Sequence, residues 1–161
     1  MEQIAREALL HYDLPRPVEL RPIRLLNNAV FEVVGDGVRL ALRIHRPGYR
    51  GLEHVRSELT FLDAAAEELR DSRITVPRPL AARNGELIVC VGERSCDLLT
   101  WADGRVLKHG RGLGPRSTFL LGEGLGRLHD AAERLDARAD LELPRWDAET
   151  MFSEASPFRP G

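Results

Sequence analysis

The residues with the clearest chemical potential are one cation and one acid, Arg43 and Glu58, each set where burial is expected. From Val38 to His45 the sequence alternates as a strand does, because successive side chains point to opposite faces. Val38, Leu40, Leu42 and Ile44 make the apolar face, and Arg39, Ala41, Arg43 and His45 make the other. Further on, Leu52, Val55, Leu59, Leu62, Ala66 and Leu69 recur at spacings of three and four, the stripe of a helix packed on one side. Glu58 falls at the edge of that stripe. A carboxylate there is costly without a cationic partner, and Arg43 on the preceding strand is the natural one.

Such a pair has a plain explanation and a chemical one. The plain one is an ion pair beside a hairpin, worth little to stability. In the chemical one, a strand cation grips phosphate while the helix acid holds the cation. That order of residues matches the nucleotide clamp of kinase-like folds, where the strand base touches the α- and β-phosphates. Ala41, two residues before Arg43, is small enough to let a purine lie on that face. Lys108 is the sole lysine, so an arginine occupies the position where such a clamp usually has lysine. Arginine can hold phosphate bidentately, with a geometry unlike the point charge of an ammonium.

The elements that must position this pair can be read on either side of it. Residues 3–12 suggest a short amphipathic helix with Ile4, Ala8 and Leu9 on one face, ended by Pro15 and Pro17. Strands are expected over 18–26 and 29–34, with Asn27 and Asn28 making the turn. Gly35, Asp36 and Gly37 form a strong hairpin signal into the Arg43 strand. Residues 45–51 make a loop, and the helix comes next, to about Arg70. Val76 to Pro79 is extended. Asn84-Gly85 predicts a tight hairpin between 79–82 and 86–91, and Ser95 to Trp101 the last strand, broken by Ala102, Asp103 and Gly104. A glycine-rich basic loop at 108–114 leads to Pro115, well suited to a helix first turn. That helix, to about Leu135, is expected to bury Leu121, Leu125, Leu128, Ala132 and Leu135. Its glycines at 122, 124 and 126 suggest close packing against another element. After Pro144 come Trp146, Met151, Phe152 and Phe158, apolar without periodicity, as in a segment awaiting a partner surface.

Composition sets outer bounds. The chain has 161 residues, 43% hydrophobic and 30% charged, typical of a soluble domain with a real core. A net charge of −2 gives no reason to expect a nucleic-acid or anionic-membrane partner. The start, Met1 to Glu7, is charged and lacks an apolar signal core, and no apolar run approaches a bilayer span. Cys90 and Cys96 are the only cysteines. A cytoplasmic protein with reduced thiols is the expectation.

Beyond the clamp, an ordered series of short segments resembles the aminoglycoside phosphotransferase family, which also covers choline-kinase-like and homoserine-kinase-like enzymes. The series comprises Leu26 to Phe31, Leu42 to Arg50, Ser57-Glu58-Leu59, Val76 to Pro79, Leu98 to Gly104 and Leu125 to His129, in family order. The resemblance implies an α+β, protein-kinase-like N-terminal lobe at 1–100: a five-stranded antiparallel sheet with one packed helix. A hinge at 101–114 and the start of a C-terminal lobe at 115–161 would come after it. It implies ATP or GTP with magnesium as cofactors and a small-molecule hydroxyl as phosphoryl acceptor. Arg43 would contact the α/β-phosphates, Glu58 would orient it, and Ala41 would flank the purine. Asn28 would sit near phosphate, and Leu99 and Trp101 would belong to the hinge region.

The family's catalytic loop resembles His-Gly-Asp with a downstream Asn, and its metal-binding segment resembles Asp-Phe-Asp; neither pattern occurs in the chain. The only His-Asp pair, His129-Asp130, lies inside a helical pattern. The expectation is therefore the front part of a kinase, with no catalytic or metal-binding residue of its own, which binds nucleotide weakly and transfers no phosphate. The competing expectation is a non-catalytic module that self-associates through the Trp146, Phe152 and Phe158 surface. A weaker one is an anion-binding domain built on the Arg-rich loops.

Other motifs have plainer readings. Asn28 can equally be a hairpin residue, and Trp101 can equally be core. Gly110 to Ser117 fails as a Walker A loop, because Pro115 and Arg116 stand where Gly and Lys are required. Cys90, Cys96, His109 and His129 lack metal-ligand spacing. Cys90 reads as core, and His11, His45 and His54 read as surface or loop residues.

Overall fold

The computed structural model describes residues 1–25, 28–72, 74–104, 114–136 and 141. Among them are helix α1 (Glu2–Leu9), strands β1 (Glu19–Leu25), β2 (Ala29–Gly35) and β3 (Val38–Ile44), helix α2 (Leu52–Glu68), strands β4 (Pro79–Leu80), β5 (Val89–Val91) and β6 (Arg94–Thr100), and helix α3 (Pro115–Asp136). The strands form one antiparallel sheet in the order β1-β2-β3-β6-β4, with β5 also paired to β6.

The turn chemistry explains the first meander. Asp36 and Gly37 join β2 to β3 in two residues, and Gly37 takes a φ of 69°, which glycine adopts without Cβ strain. Pro22 lies on the edge strand β1, where its absent N–H is tolerated, and the β1–β2 register shifts between Pro22 and Arg24.

The far side of the sheet differs from the expected hairpin. The turn at Asn84-Gly85 is present, with Ala82 N donating to Glu86 O at 2.8 Å. Its two arms do not pair as strands. Cys96 faces Ile44 on one side and Val89 on the other, while Leu98 faces Leu42 and Leu80. Two short strands thus lie one after the other along the outer edge of β6, and the sheet has six strands rather than five.

Both faces are covered. Phe31, Val33, Leu40, Leu42, Ile44, Cys96 and Leu98 pack with Ala5, Ala8 and Leu9 of α1 and with the fully buried Tyr12 just after it. On the other face Ala41 and Leu99 meet Val55, Leu59 and Leu62 of α2. The strand alternation read from sequence holds, and it separates an α1 side from an α2 side. In α2, Leu52 is exposed rather than part of the stripe; it is the first residue of the helix.

Cys90 is exposed and Cys96 is buried, so the core assignment belongs to Cys96. Side chains alternate along a strand, and β5 turns Cys90 outward between buried Val89 and Val91. Burial and the nearby Asp97 charge push the Cys96 thiol up to about 12. An alkylating reagent at neutral pH is therefore expected to label Cys90 alone in the folded chain, and both thiols after denaturation. Mass spectrometry after a short pulse reads the difference; equal labelling of both would contradict the β5–β6 placement.

Helix α3 departs most from expectation. Leu121 is 56% exposed, Leu125 is 49% exposed, and the fully buried residue is Ala131. Among the described residues α3 meets mainly the end of α2, through an Arg134–Glu68 ion pair at 2.7 Å, and Ile74. Its glycines are not close-packed: a Cβ at Gly122 or Gly126 would meet nothing within 4 Å, and one at Gly124 would make ordinary contact with Ile74. Within the apolar stripe Leu121 and Leu125 are exposed, while Leu128, Ala132 and Leu135 are half-buried. Trp146, Met151, Phe152 and Phe158, with the loop at 108–113, lie outside the described residues.

Candidate functional site

The α2 side of the sheet carries the charged residues singled out from sequence. Cross-strand partners share a face, so Val30, Arg43 and Asp97 form one row, and Glu32, Ala41 and Leu99 contribute to the next. Glu58 reaches this face from α2. Its Oε1 accepts from Arg43 Nη1 at 2.6 Å, so the expected pair forms.

The pair is part of a longer chain of charge. Asp97, directly across from Arg43 on β6, takes two hydrogen bonds from it, Nε to Oδ1 at 2.8 Å and Nη2 to Oδ2 at 3.1 Å. His45 Nε2 meets the same Oδ2. At the outer end Arg50 Nη1 donates to Glu58 Oε2 at 2.9 Å. The order is His45, Asp97, Arg43, Glu58, Arg50. Burial opposes the charge on Arg43, but Asp97 and then Glu58 outweigh it and raise the guanidinium pKa above its ordinary value. Arg43 stays a cation at any working pH.

Sequence reasoning does not find Asp97 or His45. Asp97 lies in a strand between Cys96 and Leu98, and its acidic type is the only signal that it needs a partner. His45, expected on the surface, is 5% exposed instead, because it continues the alternation of β3 and its backbone N–H donates to Ser95 O at 2.9 Å.

Donor geometry decides what the cation can still do. The bonds to Asp97 and Glu58 occupy the Nε–H, one Nη2–H and one Nη1–H. One N–H remains on each terminal nitrogen, so the guanidinium can still donate to an anionic oxygen ligand. The Arg43 side chain as a whole keeps 15% of its surface exposed.

The remaining candidates sit around this point. Asn28, half-buried, is the bend residue leading into β2, two positions from Val30, which faces Arg43. Ala41 is half-buried at the centre of the face. Leu99 is buried beneath α2 and flanked by Ala41 on one side and Pro79 on the other, so it lies inside the sheet rather than in the connection beyond it. Strand β6 ends at Thr100. Trp101 then lies under the Arg39 guanidinium, 4.2 Å from its ring centroid, a cation–π contact. Arg39 also donates to Glu32 at 2.6 Å and to Asp103 at 2.9 Å, tying residues 101–103 back to β3.

Among the described residues no group of three or more His, Cys, Asp or Glu is arranged to hold a metal ion, and no helix is long and apolar enough to cross a membrane.

Comparison with known proteins supplies the family. The model of the phosphotransferase enzyme family matches residues 19–156. A solved microcompartment-associated aminopropanol kinase is 30% identical, with a TM-score of 0.73 over 92% of this chain and 46% of its own. An amicoumacin kinase, solved in complex with AMP-PNP, Ca2+ and Ami, is 16% identical, with a TM-score of 0.70 over 96% of this chain and 45% of its own. A spectinomycin phosphotransferase, solved with ADP and spectinomycin, is 14% identical, with a TM-score of 0.55 over 81% and 37%. The last two show the fold alone. The chain spans about half the length of the first two of these solved structures. Comparison with curated proteins finds none that matches. With the family model covering most of its residues and kinase folds superposing on its sheet and helices, the chain belongs to the phosphotransferase enzyme family.

Proposed function

We propose that this chain is the nucleotide-binding portion of a small-molecule O-phosphotransferase, and that Arg43 contacts the α- and β-phosphates of ATP or GTP. The observation that carries this is the part-buried cation on β3 with an N–H left on each terminal nitrogen, held from α2 by Glu58. In this reading Glu58 orients Arg43, and Ala41 lets the purine approach, backed by Leu99. Asn28 lies beside the phosphates, and Trp101 begins the hinge. Residues 1–100 form the lobe, 101–114 the hinge, and 115–161 the start of a second lobe.

Nucleotide chemistry fits the residues present: an anion-binding cation beside a small side chain on a sheet face. The magnesium that would accompany the nucleotide finds no matching cluster among the described residues, so no step is assigned to it. The phosphoryl acceptor is a small-molecule hydroxyl, and catalysis rests on a second lobe of a longer enzyme. We place that enzyme in the cytoplasm.

A thermal-shift titration tests the reading. ADP is expected to raise the unfolding midpoint more than equal concentrations of inorganic phosphate or sulfate, because binding to the folded state alone stabilises it by mass action. Equal shifts from all three would favour simple anion binding and overturn the nucleotide reading. A second reading rests on the exposed Phe119, Leu121 and Leu125 of α3, a surface suited to self-association. Light scattering that shows concentration-dependent size, unaffected by ADP, would favour it.

A further inference from the structure

We infer that Asp97 is the residue that positions Arg43, and that the α2 acid Glu58 is its secondary and exchangeable partner. The inference rests on the reading that Arg43 meets nucleotide phosphate, and it reassigns which carboxylate prepares it to do so. Four observations carry it. Asp97 is fully buried, whereas the Glu58 side chain keeps 27% of its surface. Asp97 takes the Nε–Nη2 edge of the guanidinium with two bonds, whereas Glu58 takes one. Asp97 sits directly across from Arg43 on a paired strand, so the distance is set by the sheet ladder; Glu58 depends on how α2 rests on that sheet. Finally, Glu58 is shared with Arg50, while the second oxygen of Asp97 is fixed by buried His45.

Two parallel bonds to a planar fork fix both the place and the plane of the guanidinium, and low local dielectric strengthens them. The N–H groups left over are then held in a fixed direction before any ligand arrives. A lysine could not be held in this manner, since its ammonium has no such edge. The sheet alone therefore prepares the anion-binding cation, and a shift of α2 that breaks the Glu58 contact leaves it in place. Asp97 acts through Arg43 and touches no ligand itself.

The test is ADP affinity of the full chain by calorimetry. Asp97→Asn keeps the side-chain shape and is expected to weaken ADP binding about tenfold, the scale of one charge-assisted hydrogen bond. Glu58→Gln is expected to stay within about threefold, since Asp97 still holds the fork. In an Arg43→Lys background, Asp97→Asn should add no further loss, because the oriented edge no longer exists. A Glu58→Gln loss as large as that of Asp97→Asn, or an Asp97→Asn loss that persists with Lys at 43, would overturn the inference. The paired variant Arg43→Met/Asp97→Leu separates the underlying reading: unchanged ADP affinity there refutes phosphate contact altogether. A second measurement does not depend on ligand binding. The Arg43 Nε proton, assigned by its absence in Arg43→Lys, should exchange far more slowly than those of exposed arginines and stay slow in Glu58→Gln. Fast exchange in the unsubstituted chain would refute the Asp97 anchor directly.

Discussion

Arg43→Met is expected to destabilise the fold by about 3–5 kcal/mol, the cost of stranding a buried charge whose partner is removed. The stranded group is Asp97, which has no solvent exposure and would keep only His45. Asp97→Leu alone should cost a similar amount, since Arg43 would then depend on the partly exposed Glu58. The paired change Arg43→Met/Asp97→Leu is the informative one. With both charges gone and similar volume restored, it should be more stable than either single variant, because no buried ion is left alone. Urea unfolding of the four proteins closes the cycle. Additive losses would mean the two residues stabilise the fold independently, contrary to their paired geometry. By contrast, breaking the exposed Arg21–Glu19 pair should change little, since water solvates both groups already.

The second large effect separates two leucines that look alike in sequence. Leu42→Ala should cost about 2–5 kcal/mol, through lost burial and the cavity left behind. Leu42 is fully buried between the sheet and the α1 side of the core. Leu121→Ala should fall within about 0.5 kcal/mol, as substitutions away from packed sites do. Leu121 is 56% exposed on α3. Equal losses would show that α3 is covered in solution.

These leucines also show where sequence reading succeeds. A strand's alternation reports the two sides of a sheet, and β3 has neighbours on both edges and helices on both faces, so its pattern is legible. The apolar stripe of α3 reports only that the helix has one apolar side, not what covers it. Likewise Asn84-Gly85 announces a turn, and the turn is there. The pairing of its two arms depends on which strand offers a free edge, and that is a long-range fact about β6.

The site divides the same way. Arg43 and Glu58 are legible because both are charges set in apolar patterns, and a strand followed by a packed helix brings them together. Asp97 and His45 are not, because their partnership crosses 52 residues and depends on the register between β3 and β6. Local pattern carries no information about that register. Cys90 and Cys96 show the limit from the other side: β5, a strand of only three residues, reads as apolar throughout, although its middle residue faces out.

If Arg43 meets the α- and β-phosphates of a nucleotide, removing the second phosphate must cost affinity. The most direct measurement compares ADP with AMP as ligands of the unsubstituted chain and of Arg43→Met/Asp97→Leu, with binding measured by calorimetry. The unsubstituted chain is expected to prefer ADP by about tenfold, the scale of one charge-assisted bond to the second phosphate, and the preference to collapse in the paired variant. The same preference in both proteins would contradict it.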